Sequence, residues 1–414
     1  MSTNFPTTTT ATATTRTSTR AAGRIPAYPL LITLMAVALG VSGAPAPLYG
    51  IYQQEWHLAP ITTTLIFAVY AFGALVAVLV AGVLSDRYGR KPLLIGAVVA
   101  MLVGLGVFIQ ADSVTALVVA RALHGAAVGT TVVVGSAALL DLRPEHGARS
   151  GHLTGIMFNV GMAVTILGAA LLAQYAPDPL VTPYAVVALV VLVLLFALLP
   201  VPEPHHARGR APLKFARPAV PASIGPDFRF AVLGVMAAWS VLGVYLSLFP
   251  AFAGQRTGVH SLVFGGVVVA AMAASAAVSQ AFGSRWEASR AAVVGDFATA
   301  VALGLGVLAL ASHEPVLVVG AAVVMGLAFG LAFGGSLRHL GRIVPADRRG
   351  EVMSAYYLLA YAAMAVPTIL AGWAATTWGL AAVFPWFTAA VALACLTAGV
   401  LGLRTTRRAV VALG

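Results

Sequence analysis

The chain has 414 residues, 60% of them hydrophobic and 9% charged, with a mean hydropathy of +0.94 and a formal net charge of +11. Soluble domains carry about 25% charged residues, so the deficit excludes a soluble globular protein and leaves an integral membrane one. The positive charge is scattered through short loops, with no basic stripe or RNA-binding signature, which excludes a nucleic-acid partner. The lone cysteine, Cys395 in an apolar run, excludes a disulfide framework or a cysteine-based metal site within one chain.

Residues 1–26 are rich in threonine, with Arg16, Arg20 and Arg24 and no acid. They cannot bury a core and are expected to form a disordered cytoplasmic tail. A cleaved signal or transit peptide is the alternative, disfavoured because the run that follows is long enough to span. About 20 apolar residues cross the hydrocarbon core. By that rule twelve spans are predicted, near 27–49, 61–84, 92–110, 113–139, 151–173, 183–200, 229–252, 261–283, 290–311, 315–337, 351–373 and 381–403. The fold class is therefore all-α and membrane-integral. A six-span bundle over 27–200 and another over 229–403 flank a cytoplasmic loop at 201–228, and a cytoplasmic tail closes the chain at 404–414.

Charge alternates between successive loops. One side holds the N-terminal tail, Arg87/Arg90/Lys91, Arg143/Arg149 and the central loop with Arg208, Arg210, Lys214, Arg217 and Arg229. It also holds Arg285/Arg290, Arg338/Arg342/Arg348/Arg349 and Arg404/Arg407/Arg408. Of the 24 Lys and Arg only Arg256, in an opposite loop, and Arg121, inside a span, lie elsewhere. By the positive-inside rule both termini are cytoplasmic. The halves echo one another: Met162-Ala163-Val164-Thr165-Ile166-Leu167 recurs as Met364-Ala365-Val366-Pro367-Thr368-Ile369-Leu370. Duplicated halves of this kind are one transporter design, with the substrate site between them near the midplane.

The stretch Gly82-Val83-Leu84-Ser85-Asp86-Arg87-Tyr88-Gly89-Arg90-Lys91 packs four charges into six residues between two long apolar runs. Gly89 permits a sharp turn, and Asp86, at the end of an apolar run, needs a cationic partner. The stretch resembles the signature loop between the second and third helices of the major facilitator superfamily: glycine, three residues, aspartate, arginine, one residue, glycine, arginine and a second basic residue. Arg121-Ala122-Leu123-His124-Gly125 in span four is similar to that family's second motif. In span five, where the family's drug–proton antiporters often carry a glycine-rich motif ending in Gly-Pro, this chain has Gly155, Gly161 and Gly168 and no proline. The resemblance covers essentially the whole chain. It implies a secondary transporter in which Gly82, Asp86, Arg87, Gly89, Arg90, Lys91 and Asp141 form a charge cluster that opens and closes with the transport cycle.

Ionisable residues inside a membrane are functional candidates. Arg121 and His124 share a face of span four, and the resemblance places that span at the central cavity. Arg121 is expected to bind an anionic or polar group or to respond to protonation elsewhere; His124, with an unperturbed pKa near 6.5, suits a proton carrier. Asn159, Gln280, Tyr70, Trp239, Tyr245, Phe333, Tyr357 and Tyr361 complete the cavity candidates. Asp296 is read as a snorkelled or paired structural aspartate. No acid falls in spans one, two, five, seven, eight or ten or in the interior of span eleven, so a neutral or weakly acidic amphipathic substrate suits the set better than a permanent cation. Trp373 and Trp378 read as interfacial anchors.

No nucleotide-binding or zinc-binding signature is present, so no enzyme activity, cofactor or metal is expected. The expected activity is export of a small organic compound, a drug or metabolite, by proton antiport; the alternative is proton-coupled or facilitated uptake of a sugar or organic acid. The expected partners are that substrate, the proton and the lipid bilayer, for a monomer in a bacterial inner membrane.

Overall fold

The structure, a computed structural model, describes residues 26–205 and 217–411. The predicted N-terminal tail up to Arg24 and its neighbour, the middle of the central loop with Arg208, Arg210 and Lys214, and the last three residues lie outside the described residues.

The first half comprises α1 (Ala27–Gly43), α2 (Tyr49–Glu55), α3 (Pro60–Tyr88), α4 (Arg90–Ile109), α5 (Val114–Leu142), α6 (Gly147–Tyr175) and α7 (Thr182–Leu198). The second comprises α8 (Gly225–Ser247), α9 (Phe249–Thr257), α10 (Leu262–Gly283), α11 (Ala288–Ser312), α12 (Pro315–Ile343), α13 (Arg349–Trp378) and α14 (Leu380–Val411). Among the described residues, eleven helical segments are long and apolar enough to cross a membrane, α1 and α2 counting together; α7, with 17 residues, is a shorter twelfth apolar helix. At 1.5 Å per residue it is about 26 Å long, close to the thickness of the hydrocarbon core.

Where the helices depart from the predicted spans, proline and local polarity explain the difference. The first span breaks after Gly43 because Pro45 and Pro47 cannot donate to a continuing helix, and the chain passes through a 3-10 turn before resuming as α2. The seventh breaks at Leu248, with Pro250 in the first turn of α9. Pro367 sits inside α13 without ending it. Toward the basic side the helices outrun the apolar spans: α3 carries Asp86 and Arg87 within its last turn, and α14 reaches Val411, so the tail expected from 404 begins as helix.

Close packing within each half follows the sequence repeat. A Cβ at Gly40 of α1 would overlap the Thr165 hydroxyl of α6, and a Cβ at Gly243 of α8 would overlap the Thr368 hydroxyl of α13. Thr165 and Thr368 are the matched threonines of the repeated sequence, so both copies make the same contact with the first long helix of their half. Between the halves, α3 packs on α13 and α6 packs on α10. Small residues allow that approach, as expected for membrane helices.

Candidate functional site

The two helix pairs that join the halves meet tightly at their outer ends. The Ile61 amide donates to Thr376 Oγ1 at 3.1 Å, linking α3 to α13, and a Cβ at Gly372 would overlap the Thr64 side chain. Linking α6 to α10, Gln174 Oε1 accepts from the Ser261 hydroxyl at 2.7 Å and from the Val263 amide at 2.9 Å. At the opposite, basic ends the halves part around a cavity of about 570 Å³. Leu140, Gly151, His152 and Gly155 wall it from the first half, and Ser279, Gln280, Phe333, Arg338, Arg342 and Arg349 wall it from the second. The molecule is closed outside and recessed inside, an inward-facing arrangement.

On the wall of this cavity Gln280 reaches toward Gly155: a Cβ there would lie 3.0 Å from Gln280 Oε1. The glutamine is 8% exposed and its Nε2 has no partner among the described residues. Phe333 continues into an aromatic stack, with its ring 5.8 Å from Trp239, which in turn meets Tyr361 edge-on at 4.8 Å. Arg338 is held at the cavity wall by the carbonyl oxygens of Gly283, Ser284 and Trp286, at 2.8, 3.1 and 3.3 Å.

Arg121 and His124 do not line this cavity. Arg121 is 1% exposed inside the first half, donates to the Ser42 carbonyl at 2.9 Å, and stacks over the rings of Tyr70 and Phe67. Its Nε has no hydrogen-bond partner among the described residues, and the hydroxyl-bearing Tyr49, Tyr52 and Tyr184 are buried nearby in the same half. His124 is wholly buried against Phe108 and Gly104 of α4. Asn159 donates to the Gly155 carbonyl at 3.0 Å, one turn from the cavity. Tyr245 stacks on Phe249 at 4.1 Å within the second half, and Tyr357 meets Tyr356 edge-on; neither is a wall residue.

The charged cluster is brought together at the cytoplasmic ends of α3, α4 and α5. The Arg90 guanidinium binds Asp86, the Ser85 hydroxyl and, at 3.0 Å through Nε, Asp141. Gly89 is the single residue between α3 and α4 and has φ +105°, a conformation that favours glycine. Its missing side chain leaves room for Glu203, which sequence reading did not single out. The Glu203 carboxylate accepts from the amides of Arg90 at 2.8 Å and Lys91 at 3.1 Å, capping α4. His205 lies 3.2 Å from Asp141, and Lys91 Nζ donates to the Leu199 carbonyl at 2.6 Å. Arg87 faces away, 5.8 Å from the Tyr88 ring, and Gly82 accepts from the Ser85 hydroxyl.

Asp296 departs from expectation. It is wholly buried in the second half, it does not snorkel, and neither carboxyl oxygen has a hydrogen-bond partner among the described residues. A Cβ at Gly234 would lie 2.7 Å from Oδ1, so glycine there makes the room. A second recess, of about 620 Å³, opens between α8, α13 and α14. Its walls are apolar apart from Ser240, whose hydroxyl is spent on carbonyl oxygens, and its rim residues Val366, Leu370 and Trp386 point outward. It carries no free polar group with which to recognise a solute, so the cytoplasmic cavity is the candidate site.

Among the described residues, eleven membrane-long helices and a shorter twelfth form two halves that meet at one end and part around a recess at the other, an arrangement found in transporters with duplicated halves. The Major Facilitator Superfamily model matches residues 30–359, and the chain belongs to that family, whose members are transporters and not enzymes. Over 168 residues it is 30% identical to the multidrug resistance protein MdtL of Salmonella heidelberg, covering 40% of each chain. Over 148 residues it is 27% identical to the multidrug resistance protein B homolog of Mycobacterium tuberculosis, covering 34% of this chain and 27% of that one. An inner membrane transport protein of Escherichia coli, YajR, is 31% identical over 87 residues, covering 21% and 19%. The matched stretches thus span less than half the length of these relatives. Among solved structures, the nucleoside transporter NupG superposes with a TM-score of 0.71 at 12% identity, covering 91% of this chain and 100% of that one. A bacterial homolog of the human lysosomal transporter Spinster, in an inward-facing and occupied conformation, also gives 0.71, at 13% identity, covering 92% and 96%. These likenesses establish a shared fold.

Proposed function

We propose that this multi-pass membrane transporter exports a small organic compound from the cytoplasm in exchange for protons. The observation that carries this reading is the position of the cavity: it lies between the halves at the basic ends of the helices, where a cytoplasmic solute enters. Partial likeness to proteins named for multidrug resistance supports the direction. The halves, 27–200 and 229–403, rock about the contacts of α3 with α13 and α6 with α10, which makes the cavity accessible from each side in turn. Arg121 is a cation buried with no carboxylate partner among the described residues, which is expensive to maintain; it serves as the element that senses proton or substrate, with His124 beside it. Asn159, Tyr245 and Tyr357 act with it as substrate or proton contacts as the cavity changes shape. The Asp86–Arg90–Asp141 cluster, with Gly82, Arg87, Gly89 and Lys91, holds the first half's cytoplasmic end rigid and sets the gate. The protein works as a monomer in a bacterial inner membrane.

The test is accumulation of a panel of labelled compounds by cells with and without the protein, before and after a protonophore. Lower accumulation that the protonophore restores supports export by antiport. Higher accumulation that the protonophore collapses would replace the reading with proton-coupled uptake.

A further inference from the structure

We infer that the cytoplasmic cavity takes an amphipathic organic anion, a single carboxylate or sulfonate on a flat apolar body. This rests on the reading of the cavity as the transport site and names the chemistry it selects. Positive charge at the cytoplasmic face is general in membrane proteins, so arginines there say little alone. What decides is the make-up of the cavity wall. Two clusters on this face carry their own carboxylates: Arg90 binds Asp86 and Asp141, and His339 lies 2.9 Å from Asp227. The cavity wall contains His152, Arg338, Arg342 and Arg349 and no aspartate or glutamate among the described residues. Arg342 lies 3.7 Å from Glu287, with both side chains exposed, and the same carboxylate is within electrostatic reach of Arg338.

Arg338 is oriented by four carbonyl oxygens, those of Gly283, Ser284, Trp286 and Gly334, which fix the guanidinium without cancelling its charge. On the cavity wall the Gln280 Nε2 is a buried donor that lacks an acceptor among the described residues. A buried donor left unmade is costly, and an oxyanion supplies what it lacks. Phe333 and its neighbours Leu331 and Leu337 form the apolar wall against which the body of such a ligand lies. A cationic solute meets the same field as repulsion.

The experiment uses the purified full-length protein in detergent and three labelled probes with one ring system: naphthalenesulfonate, naphthalenemethanol and naphthylmethyl-trimethylammonium. Equilibrium dialysis is expected to give sulfonate binding about ten-fold tighter than the alcohol, the effect of one charged hydrogen bond, and exclusion of the ammonium. The preference should shrink as salt is raised. Gln280→Leu and His152→Ala should weaken the sulfonate more than the alcohol. Arg338→Lys, which keeps the charge, should bind better than Arg338→Gln. Equal or tighter binding of the alcohol or ammonium, or no sulfonate binding, overturns the inference. The same probes in proteoliposomes separate the two claims. Selective sulfonate binding without flux of any probe defeats the transport reading and leaves the anion site. Flux of the alcohol or ammonium that matches the sulfonate's defeats the anion assignment and leaves the transporter.

Discussion

Glu203 and Glu287 do the same work in the two halves, each placing a carboxylate on the first amides of the helix that follows a cytoplasmic turn. Glu203 caps α4 from a distance of 113 residues along the chain, whereas Glu287 immediately precedes α11 and accepts from the amides of Ser289 and Arg290. Burial alone would raise the Glu287 carboxyl; the Ser289 hydroxyl and those two amides outweigh it and hold it at about 2. Because the folded value lies below the ordinary one of 4.5, the stabilisation is complete above that value and is lost as pH falls through about 2. Thermal melts of the purified protein should therefore lose stability through this acid range, and Glu287→Gln should show less of that loss. An identical acid profile in the variant would remove the cap from the account. At neutral pH, Glu287→Ala should cost about 1 kcal/mol, the usual worth of an N-cap. Arg121→Ala makes the sharper functional prediction: the protein should still insert, and flux should fall by roughly ten-fold or more, a loss of at least about 1.4 kcal/mol. Normal flux in Arg121→Ala would remove Arg121 from the mechanism.

Local sequence made some of this legible and left the rest hidden. The Asp86–Arg90 pair is separated by one helical turn, so spacing alone suggests it; Glu203 has no such local tie to Arg90. Gln280 and Phe333 stood among the cavity candidates because polar and aromatic residues are few in these spans. His152 did not, because it lies at a cytoplasmic helix end, where charge is ordinary. Arg121 and His124 were assigned to the cavity from the family's use of that span. Their side chains turn instead toward α1, α3 and α4, since Gly125 on the same helix commits that face to close packing.

At the scale of elements, glycine sets how near two helices lie. A Cβ at Gly125 of α5 would run into the Tyr70 carbonyl of α3, and one at Gly129 would lie 2.6 Å from the Ala74 carbonyl. Backbone cannot yield as a flexible side chain can, so Gly125→Val should push α3 from α5. Overpacking of this kind costs about 1–3 kcal/mol, and it would also disturb Tyr70, whose ring lies 4.4 Å from the Arg121 guanidinium. A melting temperature and a flux rate measured on Gly125→Val should both fall. Unchanged values for both would mean that the helices have slack which the packing does not show. The helix count was readable because a bilayer imposes a minimum apolar length; the breaks after Gly43 and at Leu248, beside Pro45, Pro47 and Pro250, were not predicted as breaks. The helix ends on the cytoplasmic side were not readable, since helices continue past the hydrocarbon core where hydropathy has already fallen.

For the molecule as a whole, the outer contacts decide which way it faces. Gly372 lies against Thr64, and Thr376 accepts from the Ile61 amide. Gly372→Phe should force α13 from α3 at this end and shift the population away from the inward-facing form. Labelling of a cysteine introduced at Gly155, beside the cavity, should then slow, while labelling at Thr64→Cys should quicken. The opposite changes would invert the assignment of sides. Exchange of an outgoing monoanion for an incoming proton would move two elementary charges, each worth about 2.3 kcal/mol per 100 mV. The membrane potential therefore assists both legs of the cycle, and an anion is a substrate that such an exporter moves with the greatest leverage.

The most direct measurement is made on inside-out membrane vesicles with and without the protein, with the lumen acidified so that protons can leave as substrate enters. Labelled naphthalenesulfonate should accumulate in vesicles that contain the protein, and luminal pH should rise faster with it than without it; a protonophore added beforehand, which dissipates the gradient by itself, should abolish both the accumulation and the substrate-dependent rise. Accumulation that is unchanged by the protonophore, or bound naphthalenesulfonate that never enters the lumen, would contradict export by proton antiport.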